Sequence, residues 1–359
     1  MPLDIAQWRL RNQRLSGGRF NRPEDVVSWL GAVQAQEYAD TKWALALRTR
    51  RTTDAAIERA LTKGAILRTH VLRPTWHLVA AADIRWMLAL TGPRVSARMS
   101  PYNRHLELDA GVFRRSQTAI VRALRGGVQL TRQELKAVLQ RAGVRADSVQ
   151  RLAHIVMQAE IDAVVCSGAR RGTQSTYALL DERVPPAAAR SRDDALAELT
   201  RRYFTSHGPA QIADFVWWSG LTTGDARRGL ELIEGELDQE VIEGKTYWFR
   251  KAAPARGDLK TAYLLGLYDE YLIAYKDRSA ALDRSRWTRM VRDPFSACVV
   301  VNGKVIGSWR RSVKADRMVI AFTPFTPLRR TDAAAVDAAA HAYAGFFGVE
   351  LELSITAPA

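Results

Sequence analysis

Within the first 80 residues, apolar positions follow a helical period at first and then alternate as in strands. A helical spacing, with Val26, Val27, Leu30 and Val33 on one face, begins at Pro23, where a proline and two acidic residues suit a first helical turn. Similar stretches predict helices over residues 3–15, 40–47 and 53–62. Residues 65–67 and 72–79 then alternate in the manner of two strands around a turn. Helices followed by a two-stranded hairpin indicate a winged helix.

The same order of elements returns twice. In the second occurrence, Thr131 and Glu134 form a predicted capping box, and helices over 135–139 and 149–161 precede strands over 164–166 and 177–180. In the third, the predictions are a helix closed by Gly220, a helix opened by Thr222, and strands over 241–242 and 247–249. The pattern therefore predicts three tandem winged-helix units.

The pattern changes to strands near the C-terminus. Residues 296–301 and 304–309 flank Asn302-Gly303, a typical type I′ hairpin turn, and a strand over 318–322, a helix over 332–347 and a strand over 349–355 follow. Linkers are predicted at 183–187 and 252–257. We expect an α+β fold, mainly α, with a C-terminal small β-barrel or sheet domain. The predicted division is winged helix 1 over 1–120, winged helix 2 over 121–186, winged helix 3 over 187–253 and the β-rich domain over 254–359.

Composition narrows the class of protein. A chain of 359 residues can bury its cores without disulfides, and Cys166 and Cys298 lie in separate apolar runs typical of buried thiols in a reducing compartment. No apolar run approaches a membrane span, and the N-terminus lacks the apolar core of a secretory signal. We therefore expect a cytoplasmic protein.

The charge balance favours a polyanionic partner. The formal net charge is +15, and of 53 basic residues only nine are Lys. Arginine offers a planar fork that binds phosphate through two hydrogen bonds, whereas lysine acts as a point charge. The six His and two Cys residues show no spacing typical of a metal site. We therefore predict no metal and no cofactor.

Longer motifs carry a resemblance to a known family. They are Gln34-Ala35-Gln36, His70–His77 (HVLRPTWH), Gly208–Leu221 (GPAQIADFVWWSGL) and Tyr268–Arg278 (YDEYLIAYKDR). Together they resemble the tandem winged-helix DNA glycosylases of the AlkZ and YcaQ type, over segments from about residue 5 to 355. The resemblance implies a concave, basic DNA-binding surface and the excision of N-alkylated purines. In the AlkZ branch it also implies the unhooking of purine interstrand crosslinks.

The family motif makes Gln34 and Gln36 the predicted catalytic residues and places the chain nearer the AlkZ branch. Ala35 is smaller than the bulky apolar residue expected between them. A purine alkylated at N7 or N3 already carries positive charge, so carboxamides need only place a water and stabilise an oxocarbenium-like sugar. On an ideal helix these two side chains would point about 200° apart, so we expect the helix to end or distort there. Glu37 is a rival general base.

No motif positions a Schiff-base lysine, and Lys42, the nearest in sequence, is expected to be a solvated helix residue. The enzyme should therefore be a monofunctional glycosylase. Asp269 and Glu270 match a family motif and either brace Arg278 or act in the chemistry. His70, Thr75 and His77 lie on predicted strands and either contact DNA or support Gln34, with Trp76 facing the core.

The predicted DNA contacts are Arg73, His70, His77 and six further arginines. Four of the arginines lie in the second hairpin loop and on the recognition-like helix of the third unit, and two follow Trp309: Arg170, Arg171, Arg227, Arg228, Arg310 and Arg311. The partner is double-stranded DNA that carries alkylated purines, bound by a nucleoid-associated monomer. The alternatives are a winged-helix transcriptional regulator, for which no heptad dimerisation helix is visible, and a protein-binding scaffold.

Overall fold

A computed structural model of the chain describes residues 3–250, 261–290, 296–314 and 317–358. The fold is α+β and consists of three helix-rich modules and a C-terminal sheet. Within the described residues, no helix has both the length and the apolar character that crossing a membrane would need. The predicted linker at 252–257, and with it the boundary between 253 and 254, lies outside the described residues.

The first module covers residues 23–80 and follows a short helix, α1 (Ile5–Asn12). It contains α2 (Pro23–Leu30), β1 (Val33–Gln34), α3 (Tyr38–Leu47), α4 (Asp54–Thr62), β2 (Ile66–His70) and β3 (Trp76–Ala80). Thr53 caps α4 as predicted, since its hydroxyl accepts from the Ala56 N–H. The three strands form an antiparallel sheet in the order β1-β3-β2.

A long helix, α5 (Ile84–His105), leads to the second module, which covers residues 110–179. This module contains α6 (Ala110–Leu124), β4 (Leu130–Thr131), α7 (Arg132–Arg141), α8 (Val149–Ile161), β5 (Val165–Ser167) and β6 (Thr176–Leu179). Its sheet order, β4-β6-β5, repeats that of the first module. The capping box of Thr131 and Glu134 is confirmed. The boundary predicted between residues 120 and 121 falls inside α6, so a division before Ala110 fits the elements better.

The third module covers residues 192–249 and follows a one-turn helix, α9 (Leu180–Arg183). It contains α10 (Arg192–His207), α11 (Ile212–Ser219), α12 (Thr223–Leu232), β7 (Asp238–Ile242) and β8 (Lys245–Phe249). An isolated bridge between Ala210 and Trp248 stands where the first two modules have a short strand. Gly220 closes α11 with a φ of +70°, and Thr222 caps α12, as predicted.

The C-terminal region is an open sheet in the part of the chain that the structure describes. Its elements are β9 (Ala262–Leu265), α13 (Glu270–Ile273), α14 (Arg284–Met290), β10 (Cys298–Val301), β11 (Lys304–Lys314), β12 (Arg317–Pro324), α15 (Arg330–Phe347) and β13 (Glu350–Ile355). The strand order is β13-β12-β11-β10-β9, with β12 and β13 parallel and the other pairs antiparallel. Asn302 and Gly303 both have positive φ, as a type I′ turn requires.

Three large apolar cores show how these parts are joined. One core unites the first module with the C-terminal sheet, and a second unites it with α5 and the third module. The second module has a core of its own, formed by residues of α6, α7, α8 and its hairpin. The first module is therefore held on two sides, while the second is attached through α5 and through contacts of α8 and β5 with β2.

Candidate active site

Gln34 ends a two-residue strand and Gln36 follows it in a bend, so neither lies at the end of a long helix. Helix α2 stops at Leu30, because Gly31 turns the chain with a φ of +82°. Gln34 then pairs with His77 across β1 and β3, and the Ala35 N–H donates to the Trp76 carbonyl at 2.7 Å. The helical geometry that would point the Gln34 and Gln36 side chains apart therefore does not apply here.

The side chain of Gln34 is buried, with 6% of its surface exposed. Its Oε1 accepts from the Arg73 guanidinium at 2.6 Å, and its backbone N–H donates to Glu270 Oε1 at 2.8 Å. Since Arg73 can only donate, the oxygen of the carboxamide must face it and the NH₂ group must turn away. Both the backbone and the amide plane of Gln34 are therefore fixed.

Gln36 is half-buried, and among the described residues its carboxamide oxygen accepts one hydrogen bond. The Trp76 N–H donates to that oxygen at 3.0 Å. Ala35, between the two glutamines, is fully buried in the core, and its carbonyl accepts from Arg68 Nε at 3.0 Å. The small size of Ala35 therefore affects packing in the core and not the two glutamine side chains.

Glu270 stands directly behind Gln34 and is almost fully buried. Besides accepting the Gln34 N–H, its carboxylate accepts from Trp218 Nε1 at 3.0 Å and lies 3.6 Å from His207 Nε2. Burial lowers the pKa of His207, although Glu270 acts in the opposite direction. Glu270 thus joins the third module to the strand that carries Gln34.

The side-chain partners described for Asp269 and Glu270 are residues other than Arg278. Both oxygens of Asp269 accept from Arg48, at 2.9 and 2.8 Å, and this ion pair is buried. Arg278 donates from Nε to the Leu272 carbonyl. The YDEY motif therefore fixes helices α3 and α13 and the Gln34 strand to one another.

Arg73 reaches from Gln34 towards an open groove with a volume of about 650 Å³. Burial lowers the pKa of its guanidinium, and the nearby Glu270 carboxylate opposes that shift. Arg227 of α12 lines the same groove, so the structure brings two of the predicted DNA-contacting arginines to one groove, and one of them, Arg73, donates to Gln34. The groove also contains Thr75 and Trp217.

His70 and His77 are buried, which favours the supporting role over direct DNA contact. His70 Nδ1 lies 2.5 Å from Glu160 Oε2, across the contact between the first and second modules. His77 is fully buried, and its Nδ1–H donates to the Thr75 carbonyl at 2.9 Å. Desolvation, followed by the charge of Arg73, holds the pKa of His77 well below its ordinary value. His77 is therefore a neutral residue beneath Gln34.

The remaining predicted arginines differ in what they contact. Arg170 lies 4.1 Å from the ring centroid of Tyr38, two residues after Gln36, while Arg171 pairs with Glu134 of its own module at 2.7 Å. Arg228 pairs with Asp193 at 2.7 Å and Arg311 with Asp40 at 2.9 Å, whereas Arg310 is exposed on β11. The structure does not bring Arg171, Arg228, Arg310 or Arg311 to the groove beside Gln34.

The remaining candidates from the sequence are a rival general base, a lysine and two cysteines. Glu37 is exposed at the start of α3. Lys42 was expected to be solvated, but it is buried and paired with Asp54 at 2.6 Å and Glu58 at 3.3 Å, so that prediction is wrong. Cys166 and Cys298 are buried free thiols, as expected, and burial raises the pKa of Cys166 to about 12. Across the described ranges, His, Cys, Asp and Glu form no group of three suited to a metal ion.

Comparison with known proteins places this site in a family. The profile described as "DNA glycosylase AlkZ-like" matches residues 27–346, which is most of the chain. The chain belongs to the AlkZ-like DNA glycosylases. This AlkZ-like protein is 25% identical to an interstrand DNA cross-link repair glycosylase of Streptomyces sahachiroi, with 93% of each chain covered. The family decides for the enzyme and against the regulator and the scaffold.

A solved structure supports the same fold for the AlkZ-like chain. It superposes on the Streptomyces sahachiroi DNA glycosylase AlkZ with a TM-score of 0.82, at 23% identity and with 98% of each chain covered. The resemblance inferred from the four motifs is thereby confirmed over nearly the whole chain.

Proposed function

We propose that Gln34 and Gln36 hydrolyse the N-glycosidic bond of purines that carry an alkyl group at N7 or N3. The observation that carries this proposal is the pair of carboxamides held two residues apart, the first of which accepts from Arg73, a residue that lines a groove with other basic residues. An alkylated purine is cationic and leaves as a neutral base, so the protein need not supply a strong acid. Undamaged purines lack that advantage and would react poorly.

The two glutamines divide the work. Arg73 withdraws electron density from the Gln34 oxygen, while the Gln36 oxygen accepts only from a neutral backbone N–H. The better acceptor is therefore Gln36, which holds the attacking water and faces the developing positive charge on the sugar. Gln34 orients the nucleotide through its NH₂ group. The buried carboxylate of Glu270 balances the charge of Arg73, which would otherwise oppose a cationic transition state.

Interstrand crosslinks are a second substrate class in this proposal. The named activity of the Streptomyces relative supports it, as does the open form of the groove beside Gln34, which suits a lesion too bulky for an enclosed pocket. A crosslinked purine cannot be rotated fully out of the duplex without its partner strand. We therefore propose that the lesion is reached largely in place.

The modules have a shared purpose in DNA binding. We propose that all three are winged helices, that the C-terminal sheet braces the first of them, and that the protein binds duplex DNA as a monomer at the nucleoid in the cytoplasm. The repeated order of helices, short strand and hairpin supports this assignment. Arg73 and Arg227 act at the groove, whereas Arg170, Arg171, Arg228, Arg310 and Arg311 supply contacts farther from Gln34.

The deciding experiment measures release of 7-methylguanine from methylated duplex DNA in the presence of a metal chelator. Gln36→Ala should reduce release by about 100-fold or more and Gln34→Ala by roughly 10-fold, in line with the loss of one stabilising dipole at a reacting centre. The exposed Gln140 of α7 supplies a matched control, since Gln140→Ala removes a carboxamide far from the groove.

Circular dichroism would establish that each variant is folded. Full activity in both variants would remove the two glutamines from the chemistry and return attention to Glu37. Absence of release by the parent protein, with DNA binding intact, would call for the same series on crosslinked duplexes. Strand cleavage at the resulting abasic site would contradict the monofunctional assignment.

A further inference from the structure

The groove beside Gln34 combines positive charge with an aromatic surface. Among the described residues that line it, none is acidic and four are basic: Arg73, Arg98, Arg227 and Lys276. Apart from Arg73, these cations are exposed to solvent. The other lining residues, from α11 and the first hairpin, are apolar or uncharged. A ligand that matches this surface must present both an anion and an apolar face. We call this surface the Trp217 groove.

Trp217 is held in a fixed position with part of its ring open to solvent. Its indole N–H donates to the Ile273 carbonyl at 2.9 Å, yet 37% of its surface is exposed. The guanidinium groups of Arg73 and Arg278 lie 5.8 and 5.5 Å from its ring centroid. A rigid, exposed indole surrounded by cations is the arrangement with which proteins bind unstacked bases.

Two polar atoms at the inner end of the Trp217 groove have no hydrogen-bond partner among the described residues. They are Arg73 Nε and Thr75 Oγ1, and both are buried. Leaving a donor buried without a partner is costly, and a small shift of either side chain that lets it bond to a phosphate or base edge in the groove would relieve that cost. Arg73 also donates to Gln34 at 2.6 Å, so any ligand here lies next to the proposed reacting centre.

We propose that the Trp217 groove binds one unstacked nucleotide that neighbours the target purine. Its base stacks on Trp217, and its flanking phosphates bind Arg98, Arg227 and Lys276. The location of the target rests on the function proposed for Gln34, but nucleotide binding in the groove does not depend on catalysis. By holding a neighbour, the protein keeps the duplex open at the lesion without enclosing the damaged base.

The test uses two undamaged duplexes, one fully paired and one with a single-nucleotide bulge of 2-aminopurine. The parent protein should bind the bulged duplex more tightly and quench its fluorescence by stacking. Trp217→Ala should abolish the quenching and weaken binding to the bulged duplex by about 5- to 100-fold, the range expected for loss of one stacked base. Trp217→Phe should preserve most of both effects. Binding to the paired duplex should change little.

A matched pair on α12 tests the phosphate contacts. Arg227 lines the groove, whereas its neighbour Arg228 pairs with Asp193 outside it. Arg227→Ala should weaken binding to the bulged duplex and reduce the salt slope by about one, and Arg228→Ala should leave the preference for the bulge intact. Unchanged preference and quenching in Trp217→Ala would overturn the proposal. If that variant is unfolded, equal bulge preference in Arg227→Ala and the parent would overturn it.

The outcomes for the groove and for catalysis are separable. Loss of bulge preference in Trp217→Ala, with no base release by the parent protein on any lesion, would uphold the groove and reject the proposed chemistry. Base release that requires Gln36, together with bulge binding indifferent to Trp217, would do the reverse.

Discussion

The first and second modules share an order of helices and strands but differ in where their polar side chains lie. In the first, Gln34 and Arg48 are buried and bind carboxylates more than 200 residues away in sequence. In the second, charged side chains such as Arg171 are exposed and pair within the module. The same frame therefore holds the buried polar groups of the candidate site in one place and a surface of charges in the other. What differs is whether neighbouring parts of the chain enclose it.

The buried Arg48–Asp269 pair should give the largest effect. Asp269→Ala leaves a guanidinium without its partner where both side chains are about 1–2% exposed, and this should cost about 3–5 kcal/mol of the free energy of unfolding. Arg171→Ala removes one member of the exposed pair in the second module and should shift the urea midpoint very little. Equal shifts in the two variants would contradict the distinction between the modules.

The contact between the first and third modules should be almost as sensitive. A Cβ on Gly220 would lie 2.3 Å from the Leu72 carbonyl oxygen, in addition to requiring a positive φ. Gly220→Ala should therefore cost roughly 3 kcal/mol, measured by urea unfolding. Gly348 has nearly the same φ with open space around it, so Gly348→Ala isolates the backbone cost of about 1 kcal/mol. A result in which the second substitution costs as much as the first would show that the close approach is unimportant.

The pH dependence of stability should also differ between the modules. Because the pKa of His77 is well below its ordinary value, the unfolded chain binds a proton below about pH 6.5 that the native chain does not. Stability is therefore greatest above that pH and falls as the pH decreases, by about 1.4 kcal/mol per unit for this residue. His77→Gln should remove that part of the slope, measured by urea unfolding between pH 5 and 7.5. His154→Gln in the second module, where the pKa is lowered but the ring is half-exposed, should remove less.

The smallest effect is expected from the hairpin loop of the second module. Arg170→Ala and Arg171→Ala should each weaken binding to damaged and undamaged DNA alike by a few-fold and lower the salt slope by about one. The rate of base release at saturating protein should be unchanged. If Arg170→Ala instead slowed base release without weakening DNA binding, Arg170 would act at the reacting centre through its contact with Tyr38.

Local sequence signals predicted the elements that depend on nearby residues. The capping box at Thr131, the cap at Thr53 and the turn at Asn302-Gly303 each rest on contacts within a few positions. Helix α5 could not be predicted in this way, because Pro93 and Pro101 inside it argue for a break. Strand β1 has two residues, too few to show a period, so Gln34 was assigned to the end of a helix.

The candidate site was predicted in part for a similar reason. The motif identified both glutamines, and Arg73 could be named from the neighbouring hairpin. The role of Glu270 depends on a hydrogen bond between residues 236 positions apart, and the burial of His77 depends on packing from other segments. Neither the role of Glu270 nor the burial of His77 can be predicted from residue spacing or composition. Only the path of the folded chain brings these groups together.

That long-range bond to Glu270 has a consequence for synthesis. When Gln34 leaves the ribosome, the carboxylate that fixes it has not been translated, and at ordinary rates it follows after roughly 10–50 s. Until then the strand that carries Gln34 lacks one of its two supporting cores. A chain that ends before Glu270 therefore contains all three modules but leaves the backbone N–H of Gln34 without the carboxylate that it binds in the complete fold. The candidate site is complete only with the last quarter of the polypeptide.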